Sequence, residues 1–406
     1  MTSRWGQRLT LAGSLIVALA LAGCGGGGSS SGKDEIVIGE YGSLTGGDAT
    51  FGQSTKSGVE VALDELTAKS QGKIGGLTVR AVVEDDQGKP EEAASVVQKL
   101  INQDRVVAVV GEVASSRSLA GAPICQQNGI PMISPSSTNP DVTRKGDYIF
   151  RMCYLDDFQG QVMARFAAQN LGLKRVAMLK DVKNDYSVAL SKFCTEEFVK
   201  DGGTVVVEQS YSSGDQDFRA QLTAIKAKNP QAIILPGYYT EAGLIGRQAR
   251  ELGLTMPIIG GDGWESSKLL EIGGDAMNGC YYANHWSLDE QNPQLQAFLT
   301  AYRAKFKSDP DAIGGLAYDA ATVLFGCMEK LAAEDPATFA GLGSSKAGTE
   351  ARKAATKKLR DLIAATANYQ GATGLITLDE NRNPKKPIVM IAVKGGKKVF
   401  ETRIAP

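Results

Sequence analysis

Residues 106–134 read VVAVVGEVASSRSLAGAPICQQNGIPMIS, and the division of that stretch decides the fold. Val106 to Val110 has no polar member, as expected of a strand covered on both faces of a parallel sheet. A helix is predicted near Ser116 to Gln127, and Ile130 to Ile133 is the next strand. Strand, helix and strand in so few residues make a βαβ unit, whose two strands run parallel.

The same alternation extends in both directions. Upstream, Ile36 to Ile38 and Leu77 to Val83 read as strands. Helices follow them near Gln53 to Ala68 and from Pro90, where a missing N–H costs nothing at a first helical position. Downstream, a second run begins with a helix at Asp157 to Asn170. Strands are predicted at Arg175 to Leu179, Thr204 to Val207, Ala232 to Leu235 and Ile258–Ile259, separated by helices at Asp185 to Lys200, Phe218 to Lys228 and Glu241 to Leu252. Two successive β/α runs imply an α/β protein with two parallel-sheet lobes. The chain is mostly helical from Pro293 to Leu331 and strand-like again from Leu375 to Ile404, so it crosses between lobes more than once. Its 406 residues also exceed what one core usually serves.

The first residues belong to no fold. Arg4 and Arg8 precede an apolar run from Leu9 to Leu21, too short for a permanent bilayer span and typical of a signal peptide. Leu21-Ala22-Gly23-Cys24 resembles the bacterial lipobox, which implies cleavage after residue 23 and lipidation of Cys24. Residues 24–33 then form a Gly/Ser tether to the membrane. Within it, Gly28 to Gly32 matches G-x-S-x-G without a flanking strand or helix, and Gly27 to Lys33 nearly matches a phosphate-binding loop with Asp34 in place of Ser/Thr; neither has its structural context. Lys and Arg total 44 against 45 Asp and Glu, a balance that gives no electrostatic case for nucleic acid. The further cysteines, at 125, 153, 194, 280 and 327, have no C-x-x-C spacing and suggest no metal site. Cys194 and Cys327 read as small buried hydrophobes, while export leaves room for one or two disulfides.

Several stretches, in order, resemble the periplasmic branched-chain amino-acid-binding proteins: IVIGEYGSLTGG from Ile36, VEDDQGKP from Val83, VVGEVASSRS from Val109, IPMISPSSTNP from Ile130, PGYYTEAGLIGRQARELGL from Pro236, Gly260 to Gly263, and AYDAA from Ala317. The resemblance implies a type I periplasmic binding protein fold, two Rossmann-like lobes joined by three crossing strands with ligand in the cleft between them. Lobe 1 is then expected at residues 34–155 plus 286–375, and lobe 2 at 156–285 plus 376–406. It also implies an exported, lipid-anchored receptor that delivers a small amino-acid-like ligand to the permease and ATPase subunits of an ABC importer, without a cofactor. Other members bind amides or urea, or act as ligand-sensing domains for a membrane signalling partner.

An amino acid needs donors for its carboxylate, acceptors for its ammonium and a shaped wall for its side chain. Ser115, opening a helix after a strand, and Ser136, Ser137 and Thr138 in the next strand-end turn are the expected carboxylate donors. Asp262, in the Gly-rich turn after Ile259, is the expected ammonium partner; it stands where the family typically has Glu. Tyr186 and Tyr238 match ligand-facing tyrosines, with Tyr239 and Trp264 adjacent, and Phe51 and Ile313 are expected in the side-chain wall. Glu112 and Tyr154 are candidates for the cleft border or for hinge and surface roles. Plainer alternatives stand beside these roles: helix caps and turns for the serines and threonine, an Asx turn for Asp262, core or rim positions for the aromatics. Nothing points to an enzyme. His285 is the only histidine, which leaves no His-based triad or metal pair, and Asp85–Asp86 read as loop or cap residues.

Overall fold

The computed structural model describes residues 34–406, so the signal peptide, Cys24 and the tether lie outside the described residues. The first sheet contains β1 (Glu35–Gly42), β2 (Lys73–Ile74), β3 (Leu77–Asp85), β4 (Ala108–Val110), β5 (Met132–Ser134) and β6 (Ile149–Arg151). Its order is β2-β3-β1-β4-β5-β6, parallel except for β2, which folds back on β3. The second sheet takes β7 (Arg175–Asp181), β8 (Thr204–Tyr211), β9 (Ala232–Leu235), β10 (Ile258–Gly260) and β11 (Tyr281–Asn284). After a separate two-stranded ladder of β12 (Tyr369–Gly371) and β13 (Gly374–Ile376), it is completed by β14 (Ile388–Lys394) and β15 (Lys397–Ile404). The order is β15-β14-β11-β10-β9-β7-β8, with β14 and β15 antiparallel. Gly395 and Gly396 join them with φ of 57° and 70°, the positive values a two-residue hairpin of type I′ demands.

Each sheet therefore reverses direction of growth once, between β3/β1 and β4 in the first and between β8/β7 and β9 in the second. Such switch points leave a crevice at the carboxyl ends of the strands. The central strands β4 and β9 are buried throughout, which is why they read as unbroken apolar runs. Separate apolar cores form around the two sheets, Val176, Ile233, Ile259 and Met390 in one, Ile36, Val110, Ile133 and Phe150 in another. The chain leaves the first sheet for the second at 152–155, leaves the second after β11 for a run of helices and the β12–β13 ladder, and returns to the second at β14.

The helix Ala49–Ser70 lies along Ala312–Glu334 with little between them: a Cβ on Gly58 would sit 2.2 Å from the carbonyl oxygen of Gly314. The helix after β4 begins at Ser115, with Ala114 as its cap, and ends at Gly129 in the left-handed region. Further helices at Pro336–Phe339 and Glu350–Ala364 escaped the sequence reading. The expected helix at 157–170 is instead an α-helix, Asp156–Arg165, that loosens into a π turn at Phe166–Asn170. All five described cysteines are free, so the disulfides considered above do not form among them; Cys327 is half-buried and the rest are buried. Burial pushes the Cys194 thiol up to about 12, the behaviour of an inert core residue.

Candidate functional site

The loops at the switch points converge on one small cavity. Phe51, Val113, Ser115, Ser136, Thr138, Tyr186, Tyr238, Asp262, Gly263 and Ile313 line it. Its free volume is about 10 Å³, room for roughly one water molecule. The walls are this close because the lobes are shut. Thr50 Oγ1 lies 3.0 Å from Ser266 Oγ, Thr240 Oγ1 donates to Gly47 O at 2.8 Å, and the Asp185 amide donates to Ser116 Oγ at 3.0 Å.

The first-sheet wall is built on the ends of β4 and β5. Ser115 sits at the N-terminus of a 14-residue helix, where unpaired amides and the helix dipole favour an anion. Its Oγ accepts the Asn139 amide at 3.2 Å, which ties the helix to the 136–139 turn. That turn is organised from below by Arg151, fully buried. Its guanidinium donates to the carbonyls of Ser137 and Asn139, to Thr143 Oγ1 at 3.2 Å, and to Asn383 Oδ1 at 2.7 Å. Alternation along the turn then separates the two serines. Ser136 faces the cavity, whereas the Ser137 hydroxyl turns inward to Ser118 Oγ at 2.7 Å and to the carbonyls of Glu112 and Val113. Ser137, expected among the carboxylate donors, is thus a brace between β4 and β5 and does not line the cavity.

The second-sheet wall is aromatic and acidic. Tyr186 is placed by Asn184, which caps its helix by accepting the Tyr186 and Ser187 amides at 3.1 and 3.4 Å. The Tyr186 and Tyr238 rings stack with centroids 5.5 Å apart, and Phe51 from the other lobe meets Tyr238 edge-on at 5.2 Å. Phe51 also meets the Tyr239 ring, whose hydroxyl accepts the Thr50 amide across the cleft at 3.3 Å. Gly260 to Gly263 run against these rings so closely that a Cβ on Gly261 would lie 2.2 Å from Tyr186 Oη and one on Gly263 2.6 Å from Gly237 O. Trp264, the other residue expected here, does not reach the cavity. Its indole is fully buried against Gly260, with Nε1 donating to Leu235 O at 3.2 Å.

Asp262 is 6% exposed. Its amide donates to Gln159 Oε1 at 2.8 Å, and its Oδ2 lies 2.9 Å from His285 Nε2. Its other oxygen, Oδ1, is buried with no hydrogen-bond partner. A buried carboxylate oxygen in that state is costly unless something cationic completes it. Nearby Asp156 is pushed well above the usual carboxylate range by burial and by the charge of Asp262. Burial and Asp262 likewise push the Tyr186 phenol up.

His285 is what sequence reasoning missed. The only histidine of the chain, it has Nε2 between Asp262 Oδ2 and Ser136 Oγ, the latter at 3.1 Å. Its ring stacks on Tyr154 at 4.2 Å, so Tyr154 lies beneath the site rather than in its lining. Glu112 is fully buried behind the wall, accepting the Ser43 amide and hydroxyl at 3.2 and 2.9 Å. Asp85 and Asp86 hold the loop that follows β1: Asp85 accepts the Leu44 and Gln87 amides, and Asp86 the Ser43 hydroxyl.

A larger groove, about 800 Å³, is lined by both lobes and includes Glu265, Asp311 and Lys398. Two of its acids are already partnered: Glu265 takes Lys398 at 3.0 Å and Tyr282 Oη at 2.6 Å, and Asp311 takes Ser54 Oγ at 2.5 Å. The small cavity, lined by Asp262 with its unpartnered Oδ1 and by Ser115 at a helix N-terminus, is the better candidate for recognition. Among the described residues no cluster of three or more His, Cys, Asp and Glu side chains is arranged to hold a metal, and no helix is long and apolar enough to cross a membrane.

Known proteins resemble the chain throughout the two sheets. The periplasmic binding protein family profile matches residues 35–397. The leucine-, isoleucine-, valine-, threonine- and alanine-binding protein of Pseudomonas aeruginosa is 34% identical over 332 residues, 81% of this chain and 86% of that one. The leucine-binding protein LivK of Thermotoga maritima is 38% identical, with a TM-score of 0.83 over 91% of this chain and 99% of that one. LivJ of Streptococcus pneumoniae, solved in complex with isoleucine, is 30% identical, with a TM-score of 0.81 over 92% and 99%. With the type I fold, the interlobe cavity and these likenesses together, the chain belongs to the periplasmic binding protein family, among its branched-chain amino-acid-binding members.

Proposed function

We propose that the protein is the extracytoplasmic receptor of an ABC importer, anchored through lipid on Cys24, and that it closes on an amino acid of the branched-chain type. The observation that carries this reading is the unpartnered Asp262 Oδ1 in a cavity otherwise lined by hydroxyls at a helix N-terminus and by aromatic and aliphatic side chains. Asp262 takes the α-ammonium in a charge-assisted bond. Ser115, Ser136 and Thr138 take the carboxylate with the amides of the helix start. Phe51, Val113, Tyr238 and Ile313 enclose an apolar side chain. The Tyr186 ring closes the second-lobe side. Binding, not turnover, is the function, and the partners are the permease and its ATPases.

Residues 34–155 with 286–375 form one lobe in this reading and 156–285 with 376–406 the other. They move about the segments near Tyr154, His285 and Leu375. An amide or urea receptor is the other reading; a neutral ligand leaves the Asp262 charge unanswered. A thermal-shift panel of the mature protein with all amino acids, urea and short amides separates the two. A ligand at 100 times its dissociation constant stabilises the fold by about 2.7 kcal/mol. Leucine, isoleucine or valine should lead the panel, and small-angle scattering should then show a smaller radius of gyration with that ligand than without. A response to urea or amides alone would sink the amino-acid reading.

A further inference from the structure

The carboxylate of Asp262 has a single methylene, so its two oxygens cannot be aimed independently. One of them, Oδ2, is 2.9 Å from His285 Nε2. An ionised carboxylate only accepts, so Nε2 carries the hydrogen of that contact. The imidazole in turn is fixed: it is 3% exposed, stacked on Tyr154 with ring planes 23° apart, and its Nε2 edge also meets Ser136 Oγ at 3.1 Å. With Nε2 protonated, Nδ1 is the bare lone pair of a neutral imidazole, and Nδ1 is buried without a partner. His285 belongs to the segment after β11, Asp262 to the turn after β10 and Ser136 to the turn after β5, so the contact is made where both lobes and the crossing segment meet.

We propose that His285 is the positioning residue of the ammonium site: its Nε2–H holds one oxygen of Asp262 so that the other is presented to the ligand's ammonium. This inference rests on the reading that Asp262 accepts an ammonium.

The test titrates three proteins, wild type, His285→Gln and His285→Leu, with L-leucine and with 4-methylpentanoate, which is leucine without its ammonium. Gln keeps a neutral N–H donor near the Nε2 position and cannot charge; Leu removes the donor. At pH 7.5 His285→Gln should bind leucine within about threefold of wild type, and His285→Leu should lose about tenfold to a hundredfold. Neither should change 4-methylpentanoate binding by more than about threefold. Leucine binding to His285→Leu at wild-type strength overturns the proposal, as does a loss of 4-methylpentanoate binding as large as that of leucine. If His285→Leu does not fold, His285→Phe, which keeps a ring against Tyr154 and lacks the donor, takes its place. Asp262→Asn in parallel tells the two readings apart. If it weakens leucine no more than 4-methylpentanoate, the ammonium site itself is misassigned; if it weakens leucine selectively and the His285 variants behave as wild type, only the role of His285 falls.

Discussion

Replacing Asp262 with Asn tests the site where charge, burial and stability make opposed demands. The side chain is 6% exposed, its Oδ1 has no partner, and burial together with its charge pushes nearby Asp156 well above the usual carboxylate range. In the ligand-free protein, Asn removes a buried carboxylate charge whose Oδ1 has no partner and leaves shape nearly unchanged. Stability should therefore hold or rise, with a melting temperature up by about 1–3 °C. The ligand-bound protein pays in the opposite direction. An ammonium taken into the shut cleft without a carboxylate is desolvated and underpaired, at about 2–5 kcal/mol. That is about 30-fold to several-thousand-fold in affinity. Ser115→Ala should cost less, because the helix N-terminus still offers donors to the carboxylate. Calorimetry with leucine on the three proteins, alongside melting curves without it, gives both halves. Wild-type affinity in Asp262→Asn refutes the ammonium assignment. A large loss of ligand-free stability would show instead that the carboxylate is structural.

Other perturbations follow from the same geometry. Arg151→Met removes the buried guanidinium's bonds to the carbonyls of Ser137 and Asn139, to Thr143 Oγ1 and to Asn383 Oδ1, and should cost about 3–5 kcal/mol in chemical denaturation. A change under about 1 kcal/mol would contradict the role given to Arg151 in ordering the 136–139 turn. Glu40, buried on β1 and pushed up to about 8 by burial and then by Glu60, holds a proton in the folded state that the unfolded chain releases above its ordinary 4.5. Stability from this group is complete below about 4.5 and falls as pH rises toward about 8, so Glu40→Gln should flatten part of the decline in melting temperature between pH 5 and 8. An unchanged slope assigns the decline to other acids. Cys24→Ser should abolish incorporation of a labelled fatty acid, and label retained on that variant removes the lipobox reading.

The alternation of apolar runs and helix-period segments was enough to place two parallel sheets, because strands covered on both faces and helices covering them leave patterns of different period. The return to strands after Leu375 likewise showed that the chain recrosses, and β14 and β15 complete the second sheet accordingly. Sites at strand ends could be named because β/α loops collect at one edge of a parallel sheet, and resemblance picked out which loops to read. What the chain could not disclose was which way a side chain turns within a loop and which distant residue it meets. Ser136 and Ser137 are equivalent in the string SPSST; buried Arg151, gripping the carbonyls on either side of Thr138, orients the turn so that one faces the cleft and the other braces Ser118. Trp264 follows Asp262 by two residues, yet the short helical turn at 262–264 sends it into the core beneath Gly260. His285 and Asp262 are 23 residues apart, and His285 and Ser136 are 149. Their meeting depends on sheet order and on a crossing segment running under the cleft. Local sequence encodes the elements through short-range periodicity; hydrogen bonds between segments far apart in the chain exist only once packing has brought those segments together, and it was packing that made a lone histidine part of the site.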